Sequence, residues 1–183
     1  INYAKFYYGD NLKNWHKYED YRKSYASRKK LGGGIVLTSI HEFDLMLNFF
    51  KNTKILKSYN SHLSNLKIDV EDFSLSVFKN NFEGHKFCSI IMMNFFQNLK
   101  ERYIKISFEK GDLFADLVNY KVNLNVNNKI ITYKYKKNTN QMYLDEIKYF
   151  LAFFKKRKKI PDNFNEVNGF KTLNVALEVK KNI

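Results

Sequence analysis

Apolar side chains at Val36, Ile40, Phe43, Leu47 and Phe50 recur at alternating spacings of four and three. That is the period of a helix burying one stripe, and it predicts a helix over residues 35–50. From Lys54 to Tyr135 the period falls to two. Strands are expected over residues 55–62, 70–78, 86–96, 102–109, 113–119, 121–126 and 130–135, and the aromatics of residues 2–9 alternate loosely enough to add another. Turn residues separate them: Asn80 and Asn81 with Glu83 and Gly84, then Lys110-Gly111-Asp112, then Asn127-Asn128. Connections this short imply antiparallel neighbours, because a parallel pair needs a crossover of about a dozen residues or more. The expectation is an antiparallel meander. Residues 10–30, dense in Tyr, Lys and Glu, read as loop or short helix. Two further helices are expected over residues 141–154 and 166–180, separated by the basic run 155–159 and by Pro161. In the first of them Met142, Ile147, Leu151 and Phe154 share a face.

One layer of helices on one face of a large open antiparallel sheet is the economical packing of these elements, an α+β domain spanning residues 1–183. The sheet has a surplus of apolar surface. Over residues 86–96 one alternating set is Cys88, Ile90, Met92 and Phe96, and the other is Phe87, Ile91, Met93 and Phe95. Helices can cover only one of the two faces. The second is expected to be a dimer or tetramer interface, or the seat of another domain.

Composition narrows the picture further. With 44% hydrophobic and 17% aromatic residues the chain is too apolar for disorder, and no apolar run approaches the roughly 20 residues that span a bilayer. Its net charge of +14 would normally suggest nucleic acid, but 28 of the 32 basic residues are Lys, scattered in a background rich in Asn, Phe and Tyr. A nucleic-acid partner is therefore not expected, nor is a membrane. The four arginines carry more information: Arg22, Arg28, Arg102 and Arg157 stand where that background would supply Lys, and a planar fork suits a carboxylate or phosphate. A single cysteine, Cys88, excludes an internal disulfide and reads as a buried strand residue. No metal site is expected, since Glu71 and Asp72 point to opposite faces and Asp69, Glu71 and Asp72 read as structural; His16, His62 and His85 are expected at the surface. A reducing cytoplasm is the expected compartment, and a first residue of Ile rather than Met is what a piece of a longer protein would show.

Candidate chemistry concentrates between Tyr18 and Asp44. Thr38, His41 and Asp44 are three residues apart, so on one helix they form a polar ridge beside the apolar stripe. An imidazole can take or give a proton, and a carboxylate one turn away can orient it; the same pattern also suits an amphipathic helix whose His covers a core edge. Before it, Gly32, Gly33 and Gly34 would allow close approach of a ligand and leave backbone N–H groups open at the helix start, or simply make a tight, closely packed turn. The chain has no G-x-G-x-x-G fingerprint. Arg22 and Arg28 could hold a sugar carboxylate or nucleotide phosphate while Tyr21 and Tyr25 stack on a ring, or the arginines could pair with Glu19 and Asp20.

The glycine triplet followed by His41 and Asp44, with I-D-V-E-D at residues 68–72, E-K-G-D-L at 109–113 and Tyr143, Glu146 and Phe150 in a Y-x-x-E-x-x-x-F pattern, resembles the C-terminal domain of the Gfo/Idh/MocA oxidoreductases. The resemblance implies a substrate-binding and oligomerisation domain of an NAD- or NADP-dependent oxidoreductase. The Rossmann half that binds most of the cofactor would lie outside this chain, and no cofactor would be held tightly here. It implies His41 as general acid/base in hydride transfer at a sugar hydroxyl, Asp44 supporting it, and Thr38 where members often carry Asp. Tyr21, Arg22, Tyr25 and Arg28 would bind a sugar or nucleotide-sugar substrate, an amino sugar or a sialic-acid-like sugar of cell-surface polysaccharide metabolism. Gly32, Gly33 and Gly34 would lie near the cofactor. The isolated chain would be inactive. The competing reading is a noncatalytic domain that binds a partner through its bare sheet face.

Overall fold

The computed structural model describes residues 1–16, 18–136, 139–156 and 165–181. Arg157, Pro161 and most of the basic run 155–159 lie outside the described residues. Eight strands form one sheet: β1 (Tyr3–Asn11), β2 (Asn52–Ser61), β3 (Phe73–Phe82), β4 (His85–Asn94), β5 (Phe96–Phe108), β6 (Gly111–Asp116), β7 (Lys121–Val126) and β8 (Lys129–Lys134), in the order β2-β3-β4-β1-β5-β6-β7-β8. The helices are α1 (Ile35–Thr38), α2 (His41–Phe49), α3 (Thr139–Lys156) and α4 (Glu166–Lys181). The architecture is α+β with an open, mostly antiparallel sheet, as the periodicity indicates. No helix among the described residues is long and apolar enough to cross a membrane.

The simple meander fails at one place. β1 inserts between β4 and β5, parallel to β4 (Phe6 opposite Ile91) and antiparallel to β5 (Phe6 opposite Ile104). Only Phe95 separates β4 from β5, which reads as a hairpin. Its backbone is committed elsewhere: the Phe95 N–H donates to the Asp72 carbonyl, and the Phe95 carbonyl accepts from the Leu12 N–H. The stretch from β1 to β4 includes two helices and two strands, ample for the crossover that parallel pairing demands. Among the hairpins, β3–β4 and β7–β8 turn on Glu83-Gly84 (φ 51° and 87°) and Asn127-Asn128 (φ 51° and 62°), paired positive φ values that match strand twist. Asn80 and Asn81, expected in a turn, instead continue β3 opposite Phe87 and Lys86.

One face of the sheet carries the core. Phe6, Phe43, Phe50, Phe78, Ile91 and Met93 are fully or almost fully buried, with Phe50 edge-on to Phe87 at 4.9 Å. Burying each such side chain is worth about 1.5–3 kcal/mol. Along β4 the set Phe87, Ile91 and Met93, continued by Phe95, faces the helices, whereas Ile90 and Met92 lie half-buried on the open face. That phase also corrects Cys88: it is exposed, because it shares the open face with Ile90 and Met92.

The helix expected over residues 35–50 is broken. Ser39 adopts φ −105°, ψ 35°, and α2 starts afresh at His41. Val36, Phe43, Leu47 and Phe50 still reach the core, with Ile40 half-buried at the break. α4 joins them, sealing Ala176 and Val179 completely. α3 does not join the layer: the face carrying Met142, Ile147, Leu151 and Phe154 is exposed, at 47–71% for these four side chains.

Candidate functional site

His41 is the first residue of α2 and is exposed. Its neighbours Glu42 and Phe43 are buried and anchor the helix start beneath it. Among the described residues the imidazole has no hydrogen-bond or ion-pair partner. The break at Ser39 takes Thr38 off the helix that carries His41 and Asp44, so the three side chains do not form one ridge. The Thr38 hydroxyl is buried without a hydrogen-bond partner. The Asp44 carboxylate is used elsewhere: it accepts from the Thr172 hydroxyl (3.1 Å), the Asn168 amide (3.3 Å) and the Asn48 amide (3.2 Å). It fastens α4 to α2.

The glycine bend is built by packing. A side chain at Gly33 would meet the backbone carbonyl oxygens of Tyr25 and Ala26 within 2.6 Å, and Gly34 adopts φ +103° against the Glu71 carboxylate. The N–H groups expected to face a ligand are taken. Gly33 donates to the Arg28 carbonyl, Gly34 to the Ala26 carbonyl and Ile35 to the Glu71 carbonyl, each at 3.0 Å. The expectation of open donors at the helix start is therefore corrected, because residues 26–28 and 71 close in on the bend and use them. Lys180, near the end of α4, donates to the Gly33 carbonyl and pairs with Glu71 at 3.1 Å.

Residues 21–31 run as short 3-10 turns, two of them capped in sequence by Asp20 and Ser24. Arg22 is gripped by Asp20 through Nε (2.9 Å) and Nη2 (2.7 Å), and these bonds hold the Asp20 carboxyl down at about 2. The Tyr21 hydroxyl accepts from the Lys67 N–H at 3.3 Å, and Tyr25 is exposed. Arg28 is the exception. Its guanidinium has no partner among the described residues and lines a cavity of about 780 Å³ that also touches Lys67, Asp69, Glu71 and Lys180. Asp69 receives the Lys29 N–H and Asp72 receives those of Leu63 and Ser64, so these carboxylates serve structure. His62 and His85 are exposed, while His16 is half-buried against Tyr18 and Glu19.

Glu42 escapes sequence reasoning. It is 1% exposed, and Arg102 on β5 donates to its Oε1 at 2.7 Å while Oε2 has no partner. Burial outweighs the attraction of Arg102 and pushes the carboxyl up to about 7. The one advance signal was the rarity of Arg.

No family profile matches the sequence, and none of the curated proteins does. Solved structures do match. The chain is similar to a UDP-N-acetylglucosamine 3-dehydrogenase from Acidithiobacillus ferrooxidans (TM-score 0.75, 15% identity, all of this chain and 53% of the other). It is similar also to the WlbA dehydrogenase from Bordetella pertussis, solved with NADH and UDP-GlcNAcA (0.64, 16%, 99% and 52%), and to a biliverdin reductase from Synechocystis sp. PCC 6803, solved with biliverdin and NADP+ (0.65, 11%, 99% and 55%). The chain spans about half the length of these proteins. Its fold is that of the C-terminal domain of Gfo/Idh/MocA-type dehydrogenases.

Proposed function

We propose that this chain is the substrate-binding and oligomerisation part of an NAD(P)-dependent oxidoreductase acting on a sugar, nucleotide sugar or amino sugar. The observation that carries the reading is His41: an exposed imidazole, without a partner among the described residues, at the start of a helix whose next two residues are locked into the core, on a fold shared with nucleotide-sugar dehydrogenases. A base that spends no hydrogen bond on its own protein is free to take a proton from a substrate hydroxyl or return it. The buried Glu42 and Phe43 fix the backbone from which the imidazole projects.

The glycine bend is not shaped as a site for a dinucleotide. The glycine bend has its N–H donors engaged by Arg28, Ala26 and Glu71, which leaves no diphosphate cradle there. In this reading the nicotinamide cofactor belongs to a Rossmann half outside this chain, and Gly32, the glycine of the bend with open space around it, is the one that faces it. Tyr21, Arg22, Tyr25 and Arg28 form the substrate side, with Arg28 the free fork and Arg22 held in place by Asp20. The bare sheet face joins copies into a dimer or tetramer.

The test joins the chain to a dinucleotide-binding half and follows nicotinamide absorbance with UDP-linked and free amino sugars. His41→Ala should lower turnover by about 10² to 10⁴ while leaving the melting transition intact. Turnover unchanged by His41→Ala would remove the imidazole from the mechanism.

A further inference from the structure

We propose that the cavity beside the glycine bend binds a phosphate or carboxylate group of a small ligand, with Arg28 as the fork that grips it. The proposal deepens the reading above and rests on its placing Arg28 on the substrate side, and it is tested by binding without cofactor or turnover, so that its failure is distinct from a failure of the His41 assignment. The cavity, at about 780 Å³, has the size of small-molecule sites. Its lining joins Leu66 and Val70, each under a tenth exposed, to a set of cations. An apolar lining with a few convergent charges is how such sites orient a ligand.

The charges are unevenly committed. Of the two carboxylates on the lining, Glu71 is paired with Lys180, and Asp69 accepts the Lys29 N–H. Arg28 and the side-chain ammonium of Lys67 have no partner among the described residues. A cationic surplus therefore faces the space, and its centre is an arginine in a chain where Lys is the ordinary base. Guanidinium offers parallel donors to two oxygens of one phosphate or carboxylate, which an ammonium cannot do. A second cavity of about 430 Å³ makes the contrast, since it is lined by Lys51, Lys54, Lys79 and Lys86 with no arginine. Charge alone would send an anion there.

Isothermal titration of the 183-residue chain with inorganic pyrophosphate and, separately, with glucuronate tests this. One or both should bind at a single site, and the stronger of the two tells phosphate from carboxylate. Arg28→Ala should weaken binding roughly tenfold or more, Arg28→Lys should recover only part of the loss, and Lys86→Ala should stay within about twofold of the parent. Lys67→Ala, expected to cost roughly threefold, tests the cavity by a second route should Arg28→Ala lose its circular-dichroism melt. No binding of either probe overturns the proposal, as do equal losses for Arg28→Ala and Lys86→Ala, the mark of diffuse attraction to lysine.

Discussion

Each described arginine has a distinct assignment, and only one of the three is without an acidic partner among the described residues: Arg22 holds Asp20, Arg102 holds Glu42, and Arg28 lines the cavity. The rarity of Arg in a lysine-rich chain made these positions legible in advance, but not their partners. Glu42 follows His41 in sequence and reads as an ordinary polar helix residue, and its burial depends on where the break at Ser39 rotates α2. That burial has a consequence for stability. The folded state keeps the Glu42 proton up to about pH 7, whereas an unfolded glutamate releases it near its model value of 4.5. Between those values the folded state binds more protons, so stability from this group is complete below about pH 4.5 and is lost as pH rises through 7. The shift corresponds to something of the order of 3 kcal/mol. Glu42→Gln, which cannot titrate, should flatten the difference. Urea midpoints measured from pH 4.5 to 7.5 should lie close together at the acid end and part as pH rises, the parent falling relative to the variant, and parallel curves would show that Glu42 does not titrate in this window.

At the level of elements, periodicity located nearly every strand and helix, because side chains under one helical layer must alternate in a strand and recur by threes and fours in a helix. It could not reveal where β1 would lie. Strand order depends on which backbone groups are left free, and the hydrogen bonds that Phe95 makes to Asp72 and Leu12 are invisible in the sequence. Insertion of β1 has a result for the open face. It brings Tyr7 onto Tyr103, stacked at 4.9 Å, and Tyr103 onto Phe114 at 5.3 Å, with the Lys5 ammonium over both tyrosine rings. By register Leu75, Val77, Ile90 and Met92 continue this surface across β3 and β4. In the proposed reading this face, which no helix among the described residues covers, seats another copy of the chain. Phe114→Lys places a further cation near Lys5 and should weaken self-association at least about tenfold by sedimentation, with the far-UV spectrum unchanged. Association of the variant at parental strength would move the interface elsewhere.

On the scale of the whole molecule, the glycine triplet and His41 were legible because they need a bend and a surface, both written locally. The ridge that the spacing of Thr38, His41 and Asp44 predicts does not form, because spacing presumes one continuous helix, and Asp44 instead binds α4, more than a hundred residues away. What remains uncovered is equally informative. The helical layer does not reach β8, where Ile131 and Tyr133 are about half exposed, and α3 presents Ile147, Phe150 and Phe154 to solvent. Tyr120, just before β7, meets Met142 of α3 at 3.6 Å, so the two uncovered surfaces lie next to each other. Tyr143 and Phe150, two side chains of the tyrosine-glutamate-phenylalanine pattern, are among those exposed. If the nicotinamide-binding half of the proposed enzyme covers this area, the chain alone should be inactive, and adding that half as a separate polypeptide should slow amide exchange in α3 and β8 before any substrate is present. Burial of an exposed amphipathic helix raises the free energy of its local opening, which exchange reads directly. Protection confined to β3 and β4, with α3 still exchanging freely, would place the partner on the open sheet face and refute this arrangement.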